Sequence, residues 1–373
     1  MILSINFLIA RSATLLAVLV LLCGCGAAME NQPDKTDADK ADHPLLAVFP
    51  VQNLSGIPAP LQEVRETLIN LLQQQGFAVL DDKTLETFMT AHRVRNVGGI
   101  DGGTAQALKQ ETGAEATLIT SLELYGEKYP PKISLTCRLV TASDPPLIRW
   151  IDNVGMTGDE SPGLLGLGLI GQVDALRDKA LQTLMASLQE SMAGEQEIPG
   201  TKNKFRPKLA FRSDTLAQEK RKYGIVVLPF FNLSDRKNAG EIIVLHFVKE
   251  LQNLPNFQVV EPGVVFKELL RFRVIMDDGI SLPNAAAIFS DLNADLILSG
   301  KILDYQDALG PWGSPYVDFS TVMFFNNSRE MVWASKSYNK GSDGVFFFDV
   351  GRVSTANDVA SQMARSVAEM IVN

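Results

Sequence analysis

Three histidines, two Asp-Asp pairs, a glycine cluster and three cysteines are the residues here whose types and spacing could do chemistry. A metal site needs ligands at i+3 or i+4 on one helix face, or a His-Glu-x-x-His motif. His43, His92 and His246 have no second His or Cys at those spacings, and no His-Glu-x-x-His occurs. His43 lies in a polar stretch, His92 at a helix end and His246 on an apolar helix. Asp81-Asp82 and Asp277-Asp278 are acid pairs of the kind that proton transfer uses. They do not fall at matched positions of the internal repeat described below, so they read as solvated turns. Gly166-Leu167-Gly168-Leu169-Ile170-Gly171 spells G-x-G-x-x-G. A dinucleotide fingerprint joins a first strand to a first helix, with an acid about 20 residues on. Here the glycines precede the last helix of a domain, so they do not read as one. There is no Gly-Lys-Ser/Thr phosphate loop and no Gly-x-Ser-x-Gly elbow. Cys137 sits in a strand-like run, 133–140, and reads as a small buried apolar residue rather than a reactive thiol. No catalytic residue, metal site or cofactor is expected.

The elements that would position any site repeat. Val48-Phe49-Pro50-Val51-Gln52-Asn53-Leu54-Ser55 returns as Val227-Leu228-Pro229-Phe230-Phe231-Asn232-Leu233-Ser234. Pro, Asn, Leu and Ser keep one offset, 179. Each copy closes a short apolar run, 45–51 and 224–231, of the kind that forms a buried strand. Proline has no N–H and belongs at a strand end or edge. Asn and Ser bond their own backbone and turn the chain toward a helix. Pro50, Asn53 and Ser55, with Pro229, Asn232 and Ser234, are therefore signature turns that open two copies of one domain. The echo runs on: 76–81 matches 256–261, 114–118 matches 294–298, and Tyr125 falls on Tyr305, all at offset 180. Trp150 and Trp333 close both units.

Each copy reads as strand, helix, strand, two helices, three successive strands and a closing helix. In the first, 61–72 has apolar residues at helical spacing and ends at Gly76. Phe77 to Leu80 is a short strand, helices centre on Leu85 and on 105–112, and strands run over 116–125, 133–140 and 147–154. The closing helix spans 173–192. The second copy gives the same order and closes over 359–371. Helices alternating with strands, then a strand meander, predict an α/β fold: a mixed sheet with helices packed on it, as two tandem β-α-β-α-α-β-β-β-α domains. The boundaries are 44–192 for the first domain, 193–222 for a linker and 223–373 for the second. A repeat of this size is expected to fold by itself. The linker carries eight positive charges over 202–222 against Asp214 and Glu219. It reads either as a solvated segment drawn to its own acidic domains or as a contact for an acidic partner or anionic headgroups.

The formal net charge is −9, which disfavours nucleic acid as a partner. Arg11 precedes an apolar run over 13–22 that is too short for a comfortable membrane span. Leu22-Cys23-Gly24-Cys25 then resembles a bacterial lipobox. That resemblance implies a signal peptide over 1–24, cleavage before Cys25, and acylation (palmitate among the chains) of Cys25 as the anchor. The alternative is an uncleaved helical anchor. Several acyl chains anchor stably where one would not. Gly26 offers no aspartate of the kind that resembles an inner-membrane retention signal, so the expected place is the outer membrane, facing the periplasm. Residues 25–43 are polar, acidic and without apolar period, and read as a disordered tether.

The Val-Leu-Pro-Phe-x-Asn-Leu-Ser opening, Gly113-Ala114-Glu115, the strand meander and its terminal Trp resemble a group of periplasmic domains. The group includes the N-terminal domain of the Tol-system propeller protein and outer-membrane lipoprotein activators of penicillin-binding proteins. Curli-export lipoproteins and auxiliary lipoproteins of lipid-trafficking ABC transporters also belong to it. Val51 stands where the pattern has Phe, and Asn293-Ala294-Asp295 where it has Gly-Ala-Asp. The resemblance covers nearly all of 44–373 and implies fold more than task. It implies a non-enzymatic lipoprotein that binds a periplasmic or outer-membrane protein in envelope or cell-wall assembly. The alternatives are a self-assembling subunit of an export or appendage complex, hence a homo-oligomer, or a periplasmic binder of a small ligand. Two apolar segments before the closing helices are the candidate partner surface: Leu164, Leu165, Leu167 and Leu169 in the first domain, and Phe346, Phe347 and Phe348 in the second. The alternative is that both tuck beneath their own domains.

Overall fold

The computed structural model describes residues 44–160, 168–194, 204–218, 222–272, 292, 294–308, 310, 313–325, 328–345 and 351–372. The expected signal peptide, the tether and Cys25 lie outside them. So do Leu164, Leu165, Leu167, Phe346, Phe347, Phe348 and Asp277-Asp278.

The first repeat runs β1 (Leu46–Val48), β2 (Gln52–Asn53), α1 (Leu61–Gln74), α2 (Asp82–Ala91), α3 (Gly102–Thr112), β3 (Ala116–Gly126), β4 (Lys132–Thr141), β5 (Ile148–Thr157) and α4 (Val173–Ala193). Its sheet has the order β1-β3-β4-β5, with β2 also on β3. β1 and β2 pair parallel to β3, and the meander is antiparallel. The strand expected over 77–80 is reduced to one bridge, Leu46 to Val79. Pro50 lies between the two short parallel strands, where a residue without an N–H interrupts the ladder at no cost.

The second repeat runs β7 (Tyr223–Val227), β8 (Phe231–Asn232), α6 (Ala239–Gln252), β9 (Phe257–Val259), α7 (Pro262–Arg271), β10 (Leu296–Gln306), β11 (Tyr316–Phe325), β12 (Met331–Lys340) and α8 (Ala356–Val372). Before it, 204–218 supplies β6 (Leu209–Arg212) and α5 (Thr215–Gln218). The sheet order is β6-β12-β11-β10-β7-β9, with β8 on β10. This corrects the linker expectation. Part of the basic stretch is an edge strand, antiparallel to β12, and Phe205 is fully buried. The third helix expected in this copy falls on undescribed residues.

The repeats share detail beyond strand order. In β3 the register slips around Glu123, and in β10 around Leu303, again 180 apart. A second slip separates Leu139 from Val140 in the first sheet and Met323 from Phe324 in the second.

Four layers result. α1 and α4 pack one face of the first sheet, burying Val64, Leu68, Leu72, Leu176, Leu181, Leu184 and Leu188 against Leu118, Leu135 and Trp150. The opposite face of that sheet meets α6 and α8 of the second repeat, and those helices rest in turn on the second sheet. α1 is amphipathic, with four buried residues. α6 is buried at every position over 242–248, as a helix enclosed between two sheets must be. α7 covers part of the second sheet's far side through Val265 and Leu269 on Val226, Leu228 and Ile297. Residues 42–373 form one compact unit. No described helix is long and apolar enough to cross a membrane.

Candidate functional site

The signature turns are closed alike. Asn53 Oδ1 accepts from Ser55 N at 3.0 Å and Ser55 Oγ at 2.6 Å, and Asn53 Nδ2 donates to Ile57 O at 2.7 Å. Asn232 Oδ1 accepts from Ser234 N at 3.0 Å and Oγ at 2.6 Å, and its Nδ2 donates to Arg236 O at 2.7 Å. These side chains stand in for backbone hydrogen bonds where the strand ends. The two turns also touch. Arg236 donates to Ser55 O, and Asn238 Nδ2 to Leu54 O at 3.2 Å.

That contact is the edge of a long polar seam between the repeats. Arg138 on β4 makes a two-pronged pair with Glu261, Nη2 to Oε1 at 3.0 Å and Nε to Oε2 at 3.1 Å, with both side chains fully buried. Glu261 also caps α7 through Gly263 N, so this pair ties the first sheet to the start of a second-repeat helix. The backbones nearly touch there: a Cβ on Gly99 would meet Gly263 Cα at 2.5 Å. Asp101, which caps α3, pairs with Lys267 at 2.6 Å. Asp152 pairs with Lys249 at 3.0 Å.

Glu123, the bulge residue of β3, is buried in the same seam. It accepts from Thr136 Oγ1 at 2.6 Å and from Asn357 at the start of α8. Burial pushes its carboxyl up to about 7, against the hydrogen bonds that favour the charged form. Asp358 closes a reciprocal cap with Thr355: Oδ2 accepts from Thr355 Oγ1 at 2.8 Å, and its own N–H donates to that oxygen at 3.1 Å. It too rises to about 7, chiefly through burial, with Glu160 and Asp307 adding to the rise and Lys249 opposing it. Gly155 makes room for this cap, since a Cβ there would lie 2.6 Å from Asp358 Oδ1.

The residues with chemical potential take structural places. His246 is buried in the seam, its Nδ1 3.2 Å from Asn153 Nδ2, and burial, then Lys249, lowers it to about 3. It is therefore neutral. His92 Nε2 lies 2.7 Å from Glu111 at the surface. Asp81, expected in a solvated turn, caps α2 by accepting from Thr84 N at 2.9 Å, and Asp82 pairs with Arg65 at 2.7 Å. Cys137 is buried against Thr120 Oγ1 at 3.3 Å, and burial pushes its thiol up to about 12. Among the described residues no group of three or more His, Cys, Asp and Glu could hold a metal. One open hollow of about 380 Å³ lies between α2 and α3, lined by Lys83, Thr87, Phe88 and Glu111. Of the G-x-G-x-x-G run, Gly168 to Gly171 are described: they precede α4, and Leu169 is exposed.

The surface feature that sequence reasoning missed is the far side of the second sheet. On the first sheet the register row Ser121, Thr136, Asn153 lies under α6 and α8. The same row in the second sheet is Lys301, Ser320, Lys336. No described element covers it beyond α7. Leu209, Phe211, Met331, Tyr338 and Leu303 stand exposed on this side, at 69, 49, 41, 43 and 40 %. Lys208 and Lys336 lie over the Tyr338 ring, at 5.5 and 5.9 Å. The signal was present in the alternation of β12, where Ala334, Lys336, Tyr338 and Lys340 occupy one face.

No protein-family model and no curated protein matches the chain. Solved structures do, at low likeness. The PelC dodecamer from Paraburkholderia phytofirmans is 15% identical over 42% of this chain and 92% of its own, with a TM-score of 0.30. Lipoprotein GNA1162 from Neisseria meningitidis is 17% identical over 41% of this chain and 99% of its own, at 0.29. The LpoB C-terminal domain from Salmonella enterica is 18% identical over 30% of this chain and 82% of its own, at 0.25.

Proposed function

We propose that this chain is an envelope lipoprotein that acts by binding protein and not by catalysis. The observation that carries the reading is the open side of the second sheet. Large apolar and aromatic side chains gathered on one face mark contact sites. Tyr, Phe and Met are enriched at interface centres, which polar rims surround. The first sheet's corresponding side, in the same fold, is already an interface. The lipobox-like Leu22-Cys23-Gly24-Cys25 supports a lipid anchor at Cys25, facing the periplasm from the outer membrane. Leu169, exposed ahead of α4, is a separate candidate contact, and Leu164, Leu165, Leu167, Phe346, Phe347 and Phe348 remain candidates from the sequence alone.

Two experiments test this. Cys25→Ser should leave unprocessed precursor without acyl chains by mass spectrometry; normal acylation refutes the anchor. A photo-crosslinking side chain placed at Phe211 in intact cells should capture protein, whereas the same group at the exposed Glu86 should not. Equal capture at both positions, or none at either, refutes the binding face.

A further inference from the structure

The repeats meet head to tail: the sheet of the first takes the helical layer of the second. Such a contact is heterologous, so it leaves one copy of each surface unused. The unused sheet face is the lysine and aromatic side of β10, β11, β12 and β6. The unused helical layer is the outward side of α1 and α4. We infer that the open side of the second sheet binds the α1–α4 layer of a second copy of this chain, in the same head-to-tail sense as the internal contact. The inference rests on the protein-binding reading and names the occupant.

Charge supports this occupant. The sheet side presents Lys208, Lys301, Lys336 and Lys340 against Asp304 and Asp318. The helical layer presents Glu63, Glu66, Asp174, Asp178 and Glu190 against Lys179. Arg177, which bridges Glu63, Asp174 and Asp178, orders that acidic surface without cancelling it. Complementary potentials of this kind set orientation and suppress the wrong pairing. Sheet against sheet would bring lysines together, and helix layer against helix layer would bring acids together.

The faces are not copies of the internal ones, and the difference predicts a weaker contact. Gly155, which admits the α8 cap in the internal seam, has Tyr338 at its register position. The outer side of α1 is polar where α6 is apolar. A second copy therefore sits farther off and is held by charge, so the contact must weaken with salt.

Sedimentation of the full acylated chain in excess non-ionic detergent tests this. The expected result is mass that rises with protein concentration and falls with added salt. Lys336→Glu on the sheet side and Glu66→Lys on the helical side should each weaken association at least tenfold. Phe211→Ser should do the same without any charge change. Both charged positions are exposed, so folding is checked by an unchanged far-ultraviolet spectrum. A mixture of the Lys336→Glu and Glu66→Lys chains pairs two reversed charges and should restore association. Association indifferent to all three variants overturns the inference, since shared micelles would behave so. A chain that stays monomeric also overturns it. If that monomer is still captured by another protein through Phe211 in cells, the binding reading survives; if it is not captured, both fail.

Discussion

At the scale of single residues, the seam is governed by buried charge. Arg138 and Glu261 are both fully buried, so their worth lies in being paired. Arg138→Met strands a carboxylate and should cost about 3–5 kcal/mol in urea unfolding. Adding Glu261→Gln, which keeps the α7 cap and removes the charge, should recover much of that loss. A double mutant as unstable as the single would refute the account. Glu123 and Asp358 set the pH response. Their folded values near 7 exceed the ordinary carboxyl range near 4, so the native chain binds more protons across that window. Their stabilising effect is present at low pH and is lost as pH rises toward about 7. His246 opposes them: lowered to about 3, it contributes above about 6.5 and loses that contribution as pH falls. Two carboxyls outweigh one imidazole, so the urea midpoint should be higher at about pH 5.5 than at about pH 7.5. Glu123→Gln, neutral throughout, should shrink that difference; an unchanged difference would exclude Glu123 as its source.

At the scale of elements, the same turn is built twice from the same hydrogen bonds. Asn53→Ala and Asn232→Ala each remove one acceptor and one donor from a partly buried turn. Each should cost about 1–3 kcal/mol by chemical denaturation. A neutral result at both would mean that water replaces the lost bonds. These turns, the parallel opening strands and the meander were legible because local chemistry specifies them. Proline stops a ladder, Asx turns are short-range, and alternation marks strands. The seam was not legible, because Arg138 and Glu261 lie 123 residues apart and neither reveals its partner. β6 was hidden by the basic residues in and before it, Lys204, Arg206, Lys208 and Arg212, which resemble a solvated linker although an edge strand carries them well. The enclosed position of α6 could have been read. Ile242-Ile243-Val244-Leu245 leaves no polar face, unlike α1 at the matching place.

At the scale of the whole molecule, residues 42–373 form one compact unit, so whether each repeat folds by itself turns on how much the seam contributes. The second repeat without the first would expose both the outer side of α6 and the buried Glu261. A fragment of residues 223–373 should be molten or aggregated, and the full chain should unfold in a single transition seen alike by fluorescence and circular dichroism. A soluble fragment with cooperative unfolding would show that the seam joins two domains stable in their own right.

The head-to-tail layering also gives the fold a direction of growth. A duplicated unit inserted downstream of the second sheet would find a bare sheet waiting for its helices. One inserted upstream of α1 would have to lay its sheet on a polar, acidic helical layer that lacks the apolar side α6 offers. Lineages that lengthen this architecture should therefore do so on the carboxyl-terminal side. In them the position of Tyr338 should revert to a small residue, as at Gly155, once a helix cap must pass close to the strand.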